Sequence, residues 1–70
     1  MAHQIEFLIE RMEEERAKAD ASDLVKVKER HERAAASWEK LVNRAVAADK
    51  LRAAEEERKA EMRAAQAEMA

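Results

Sequence analysis

The 70-residue chain contains no cysteine, no glycine and no proline. Without cysteine it can form neither a disulfide nor a thiolate metal site. Glycine and proline most often mark turns and breaks, so their absence favours long, uninterrupted elements. Aromatic residues are scarce as well, with one tryptophan, one phenylalanine and no tyrosine. These absences exclude disulfide-stabilised scaffolds and glycine-rich phosphate loops.

Alanine and charged residues make up most of the chain. Asp, Glu, Lys and Arg account for 43% of the residues, 17 residues are alanine, and only 16 are larger apolar residues. This composition is typical of a long helix or coiled coil, and its Ala, Arg and Glu bias indicates a GC-rich bacterial or phage genome. A chain this short buries only about 60% of its unfolded surface. We therefore expect stabilisation by self-association or by a partner.

Targeting signals and long apolar runs are also missing. No run approaches the ~20 apolar residues of a membrane span, and the opening MAHQIEFLIER lacks a secretory signal pattern. We expect a cytoplasmic protein with no membrane partner. The net charge of −2 hides two acidic blocks around a basic one: residues 1–23 carry −4, residues 24–53 carry +4, and residues 54–70 carry −2.

Apolar spacing predicts two antiparallel helices. One stripe at helical spacing predicts a first helix over about 3–19. Continued at that spacing, the apolar stripe meets the polar residues Glu15, Ser22 and Lys26, so it fails beyond Met12. A second stripe holds heptad spacing from about residue 23 onward. Between them, Asp20 or Ser22 can cap a helix start, which predicts a turn at about 19–22. The first stripe comprises Ile5, Leu8, Ile9 and Met12; the second comprises Leu24, Val27, His31, Ala34, Trp38, Leu41, Ala45 and Ala48.

A turn at that place fixes which residues face each other. Bulky residues of the first helix then lie over the alanines beside Trp38, an alternation that packs without voids. The expected facing pairs are Ile5 with Trp38, Leu8 with Ala35, Ile9 with Ala34, Met12 with His31, and Ala19 with Leu24. The same register brings Glu13 near Arg30 and Glu10 near Arg33.

The all-α hairpin of residues 1–47 leaves the rest of the chain without a partner. Val42, Val46 and Leu51 lie beyond the reach of the first helix, which predicts a dimeric four-helix bundle or coiled coil. Residues 48–70 form either a helical extension or, if Asp49 caps a new helix, the third helix of a three-helix bundle. A stripe with fewer large apolar residues runs along this segment: Leu51, Ala54, Arg58, Met62, Ala65 and Met69.

His31 and Trp38 are the internal residues most open to a functional interpretation. His31 lacks a ligand one turn away, because Lys28, Ala34 and Ala35 occupy those positions, so we assign it to the helix seam and expect no metal and no cofactor. Trp38 is assigned to the core, although tryptophan is also favoured at binding hot spots. The complete predicted core and interface set is Ile5, Leu8, Ile9, Met12, Leu24, Val27, His31, Ala34, Ala35, Trp38, Leu41, Val42, Val46 and Leu51.

A row of basic residues follows one face of the second helix. Such a row can contact nucleic-acid phosphates. Neither an interleaved aromatic residue nor a basic isoelectric point accompanies it, since the sequence pI is 5.7, so we interpret the row as complementing the acidic first helix. Its members are Lys26, Arg30, Arg33, Lys40 and Arg44.

No catalytic motif is present, and the sequence predicts a non-enzyme. The expected function is a protein–protein interaction or self-association module, with a homodimer as the simplest assembly. One alternative is a phage- or plasmid-type inhibitor or adaptor that docks on a larger partner. A weaker alternative is nucleic-acid binding through the basic row.

Overall fold

The computed structural model describes residues 2–69 and contains two helices within them. Helix α1 spans Ala2–Ala21 and helix α2 spans Val25–Met69. The predicted all-α hairpin with a long second helix is therefore confirmed. The three-helix alternative is wrong, because α2 runs through Asp49 without a break; alanine, glutamate and arginine on both sides of this residue favour continued helix.

A three-residue turn at residues 22–24 joins the helices without any glycine. The Ser22 N–H donates to the Ala19 carbonyl at 3.3 Å, and the Ser22 Oγ accepts from the Leu24 N–H at 3.2 Å. The Lys28 N–H then donates to the Leu24 carbonyl at 2.9 Å, which makes Leu24 the N-cap position of α2. Every described residue keeps a negative φ, so the turn needs no left-handed residue.

The turn lies two to three residues later than the sequence indicated, and the register changes with it. His31 faces Glu15 instead of Met12, and the aromatic partner of Trp38 is Phe7. Alanines near the end of α1 explain the difference, since they extend the helix at little cost in conformational entropy. The first apolar stripe also does not fail beyond Met12: it continues through Glu15 to the buried Ala19.

Two alanines form the tightest contact between the helices. Ala19 is 2% exposed and Ala35 is 4% exposed, and they are the only fully buried apolar residues between residues 3 and 69. Small side chains allow the backbones to approach, while larger apolar side chains around them stay half-buried. These half-buried residues of α1 are Ile5, Leu8, Ile9 and Met12.

The hairpin is an elongated rod with one overhanging end. Its principal extents are 69 × 16 × 11 Å, and its radius of gyration is 19.7 Å. At 1.5 Å per residue, the 20 residues of α1 span about 30 Å and the 45 residues of α2 span about 68 Å. More than a third of α2 therefore extends past α1, and every residue from 50 to 69 is exposed.

Candidate functional site

An aromatic cluster lies on one flank of the hairpin. The rings of Phe7 and Trp38 pack edge to face, with centroids 6.4 Å apart and planes at 87°. The guanidinium of Arg11 lies over the Phe7 ring at 5.3 Å from its centroid, a cation–π contact. Trp38 is half-buried, whereas Phe7 remains 50% exposed. The cluster packs the two helices together on this flank and leaves Phe7 half exposed.

A polar bridge joins the two helices in the middle of the hairpin. The Nδ1 of His31 lies 2.6 Å from Oε2 of Glu15, and both side chains are mostly covered, with 25% and 21% exposed. This hydrogen bond is the largest effect and lowers the pKa of Glu15 from its ordinary value of 4.5; burial opposes it less strongly, and the positive charge of Lys18 adds a smaller lowering. The bridge gives His31 a structural partner that spacing within its own helix did not reveal.

Glu15 is the residue that sequence reasoning missed, and the sequence did carry a signal for it. An acidic residue sits in phase with an apolar stripe on one helix, and a histidine sits in phase with the stripe on the other. Buried polar groups require partners, and from the turn at residues 22–24 both residues lie seven positions away, so they face each other; the predicted turn at 19–22 did not place them opposite each other. Between residues 2 and 69, no group of three or more metal-ligating side chains accompanies this pair.

An open groove lies where α1 begins and α2 continues alone. Its floor is apolar, built from Ile5 and Leu8 of α1 and from Leu41 of α2. The rim carries polar groups, including the ion pair between Arg52 and Asp49. We call this feature the end groove; its remaining lining residues are Gln4, Arg44, Ala45 and Ala48.

The overhang of α2 presents large apolar side chains that remain exposed within the described part of the chain. Leu51, Met62 and Met69 are 69%, 57% and 88% exposed. At 100° per residue, Leu51 lies roughly 140° around α2 from Trp38. This second stripe therefore points away from α1, and a longer first helix would not cover it.

The remaining predicted core positions divide into two groups. Leu24 and Leu41 are exposed by 68% and 40%, because Leu24 lies in the turn and Leu41 borders the end groove. Four others are half-buried along the hairpin. They are Val27, Ala34, Val42 and Val46.

The basic row is fully solvent-facing. All five members are exposed, and none forms an ion pair within 4.0 Å in the described chain. The expected pairs of Glu13 with Arg30 and Glu10 with Arg33 are absent from it, because the later turn shifts the register. A different pair, Arg16 with Glu39 at 2.9 Å, links the helices instead. The described residues therefore contain no direct ion pair between this row and α1.

Neither helix has an apolar stretch that could cross a membrane, within the residues described. Comparisons of the chain with protein-family models, with curated proteins and with solved structures gave no match.

Proposed function

We propose that this chain is a small, non-catalytic self-association module. The observation that carries the proposal is the small number of buried apolar residues compared with exposed ones: between residues 3 and 69, two alanines are fully buried and seven large apolar side chains are exposed. Burial of apolar surface is the main favourable term in folding, and two helices contacting along a single seam supply little of it. A second chain provides the missing apolar partner.

The accessible surface supports the same proposal. The chain exposes 5913 Å², whereas a compact monomer of 8.0 kDa exposes roughly 4,450 Å². Its radius of gyration of 19.7 Å compares with roughly 11 Å for a compact 70-residue domain. The excess surface of one chain, on the order of 1,450 Å², exceeds the roughly 800 Å² per partner that a stable protein interface buries.

Sedimentation equilibrium across the micromolar range, combined with circular dichroism, tests the proposal. We expect a mass of at least twice 8.0 kDa and a helix content that falls together with association on dilution. A monomer that keeps full helix content at every concentration would contradict the proposal, because its exposed apolar side chains would then need no partner.

The aromatic cluster favours a second candidate function, docking on a larger protein. Trp38, Phe7 and Arg11 belong to residue types enriched at interface cores, and here they form one partly exposed group. An adaptor or inhibitor would use this group as its anchor. Co-purification from the native host separates this function from self-association, since it recovers a different protein in fixed stoichiometry.

The unpaired basic row favours nucleic-acid binding as a third candidate. A binder of this kind loses affinity linearly with the logarithm of salt concentration, with a slope set by the number of neutralised phosphates. Five basic residues on one face predict a steep slope. No retention on DNA or RNA at low salt would eliminate this candidate.

A further inference from the structure

We propose that two copies of the chain associate tail to tail through the overhang of α2, antiparallel, about a two-fold axis at Arg58. This inference rests on the proposed self-association and names the surface that performs it. The surface is the stripe that faces away from α1, here called the tail stripe: Leu51, Ala54, Arg58, Met62 and Ala65, with Met69 at its end.

The positions of the tail stripe are symmetric about its centre. Leu51 and Ala65 each lie seven residues from Arg58, and Ala54 and Met62 each lie four residues from it. When a second copy runs antiparallel, Leu51 faces Ala65 of the other chain and Ala54 faces its Met62. Each large side chain then meets a small one, the alternation that fills a core without voids. A two-fold interface requires such a self-complementary patch.

The tail stripe is also physically available for a partner. All of its residues are exposed, and α1 lies on another face of α2, so a second helix can approach without displacing the hairpin. The partner's Met69 would arrive opposite residue 47, next to Ala48 in the wall of the end groove. A side chain that is 88% exposed in the single chain thereby gains an apolar neighbourhood.

Charges along the edges of the tail stripe favour the antiparallel arrangement. A two-fold axis pairs the same edge of both helices. On one edge, Glu55 of each copy then meets Lys59 of the other. On the opposite edge, Glu57 lies near Glu61 of the second copy, and this repulsion is offset by the two Arg58 guanidiniums between them. Arg58 already contacts both carboxylate oxygens of Glu55 at 3.0 Å within its own chain.

Arg58 at the centre gives the interface a fixed register. A single polar residue in an apolar seam specifies register and partner number at some cost in stability. Sliding one helix by a turn would move each guanidinium away from Glu57 and Glu61 of the other copy, while its contact with Glu55 of its own chain would remain. Repeated alanine and glutamate elsewhere on the overhang would otherwise permit several registers.

Cysteine cross-linking tests the orientation, because the natural chain contains no cysteine. Under oxidation, Arg58→Cys should cross-link to itself, and Ala54→Cys should cross-link to Met62→Cys in a mixture. Ala54→Cys alone should not link, since its two copies lie roughly 12 Å apart along the axis, beyond disulfide reach. If Arg58→Cys and Ala54→Cys each cross-link to themselves, the dimer is parallel and the proposal is overturned.

A matched pair of substitutions tests the surface. Leu51 and Leu24 are equally exposed, at 69% and 68%, but only Leu51 belongs to the tail stripe. We expect Leu51→Glu to raise the dimer dissociation constant at least about tenfold, and Leu24→Glu to leave it within about twofold. The reverse order would overturn the proposal by placing the interface at the turn.

The self-association function and the tail-to-tail interface are contradicted by different results. A wild-type chain that sediments as a monomer overturns both the self-association function and the tail-to-tail interface. A wild-type dimer that is unaffected by Leu51→Glu, with helix content unchanged, overturns the tail-to-tail interface alone and leaves the function in place.

Discussion

The Nδ1 atom of His31 lies 2.6 Å from the Oε2 atom of Glu15, which fixes the register of the two helices at the middle of the hairpin. Within its own helix Glu15 has a longer contact, 3.9 Å from its Oε1 to the Nζ of Lys18. Because the side chains of His31 and Glu15 are mostly covered, this pair is less screened by solvent than the exposed ion pairs around it. The contact therefore makes stability sensitive to acid.

Replacing Glu15 with glutamine should lower the thermal midpoint at neutral pH. The folded-state pKa of Glu15 lies below 4.5, so its contribution is fully present above this value and is lost as the pH falls through the folded pKa. The difference between wild type and Glu15→Gln should therefore shrink below pH 4.5. Thermal unfolding followed by circular dichroism between pH 3 and 7 measures it.

Glu14→Gln is the matched control for this prediction. Glu14 pairs with Arg11 of its own helix, at 2.7 Å, and exposed pairs of this kind contribute roughly 0.2–1 kcal/mol. A pH-independent difference between Glu15→Gln and wild type would show that the carboxylate charge does not matter in the folded state.

A larger side chain at Ala35 should separate the helices. Ala35 is 4% exposed, and adding bulk to a closely packed site costs roughly 1–3 kcal/mol. We expect Ala35→Leu to lower the urea midpoint by a corresponding amount. Ala36→Leu adds the same atoms on the exposed side of the helix and should be close to neutral. Equal effects of the two substitutions would mean that the alanines are not the point of closest approach.

The helices themselves could be predicted from the sequence, because composition and apolar spacing act locally. The exact turn could not. Asp20, Ser22 and Asp23 have similar intrinsic preferences for ending or starting a helix. Placing the turn at one of them instead of another changes the free energy of folding by less than the packing of the two helices along the whole seam does. Because the turn lies two to three residues later than predicted, His31 faces Glu15 instead of Met12. The predicted charge pairs between the helices change for the same reason.

The overhang shows a second limit of sequence reasoning. The break in phase near Ala48 allowed either a new helix or a continued one, since a phase change in an apolar stripe does not require a break in the backbone. In the structure α2 continues to Met69. The phase change instead turns the second stripe toward a different side of the same helix, away from α1.

Removing the aromatic contact should be visible in fluorescence. Trp38 is the only tryptophan and the chain has no tyrosine, so its emission reports this one site. Phe7→Leu keeps an apolar side chain but removes the edge-to-face geometry, a contact that contributes about 0.5–1.5 kcal/mol beyond burial. We expect a shifted emission maximum and a coupling energy of that size in a double-mutant cycle with Trp38→Leu. A coupling near zero would indicate that the two rings are merely adjacent.

The N-cap of α2 offers a stabilising substitution. Leu24 occupies this position, since its carbonyl accepts the Lys28 N–H at 2.9 Å, yet its side chain cannot accept a hydrogen bond from the free N–H groups of the first turn. Aspartate can, and it also suits the positive end of the helix dipole. Aspartate and serine at an N-cap are worth about 0.5–2 kcal/mol relative to alanine.

Leu24→Asp should therefore raise the free energy of unfolding relative to Leu24→Ala, which removes the same exposed apolar surface without supplying a cap. Urea denaturation of both variants at equal chain concentration measures the difference. If Leu24→Asp has a lower free energy of unfolding than Leu24→Ala, and this difference grows as the chain is diluted, Leu24 is covered by a second chain at the turn. That outcome would contradict both the assignment of Leu24 as an uncovered cap position and the location of the interface at the opposite end of the molecule.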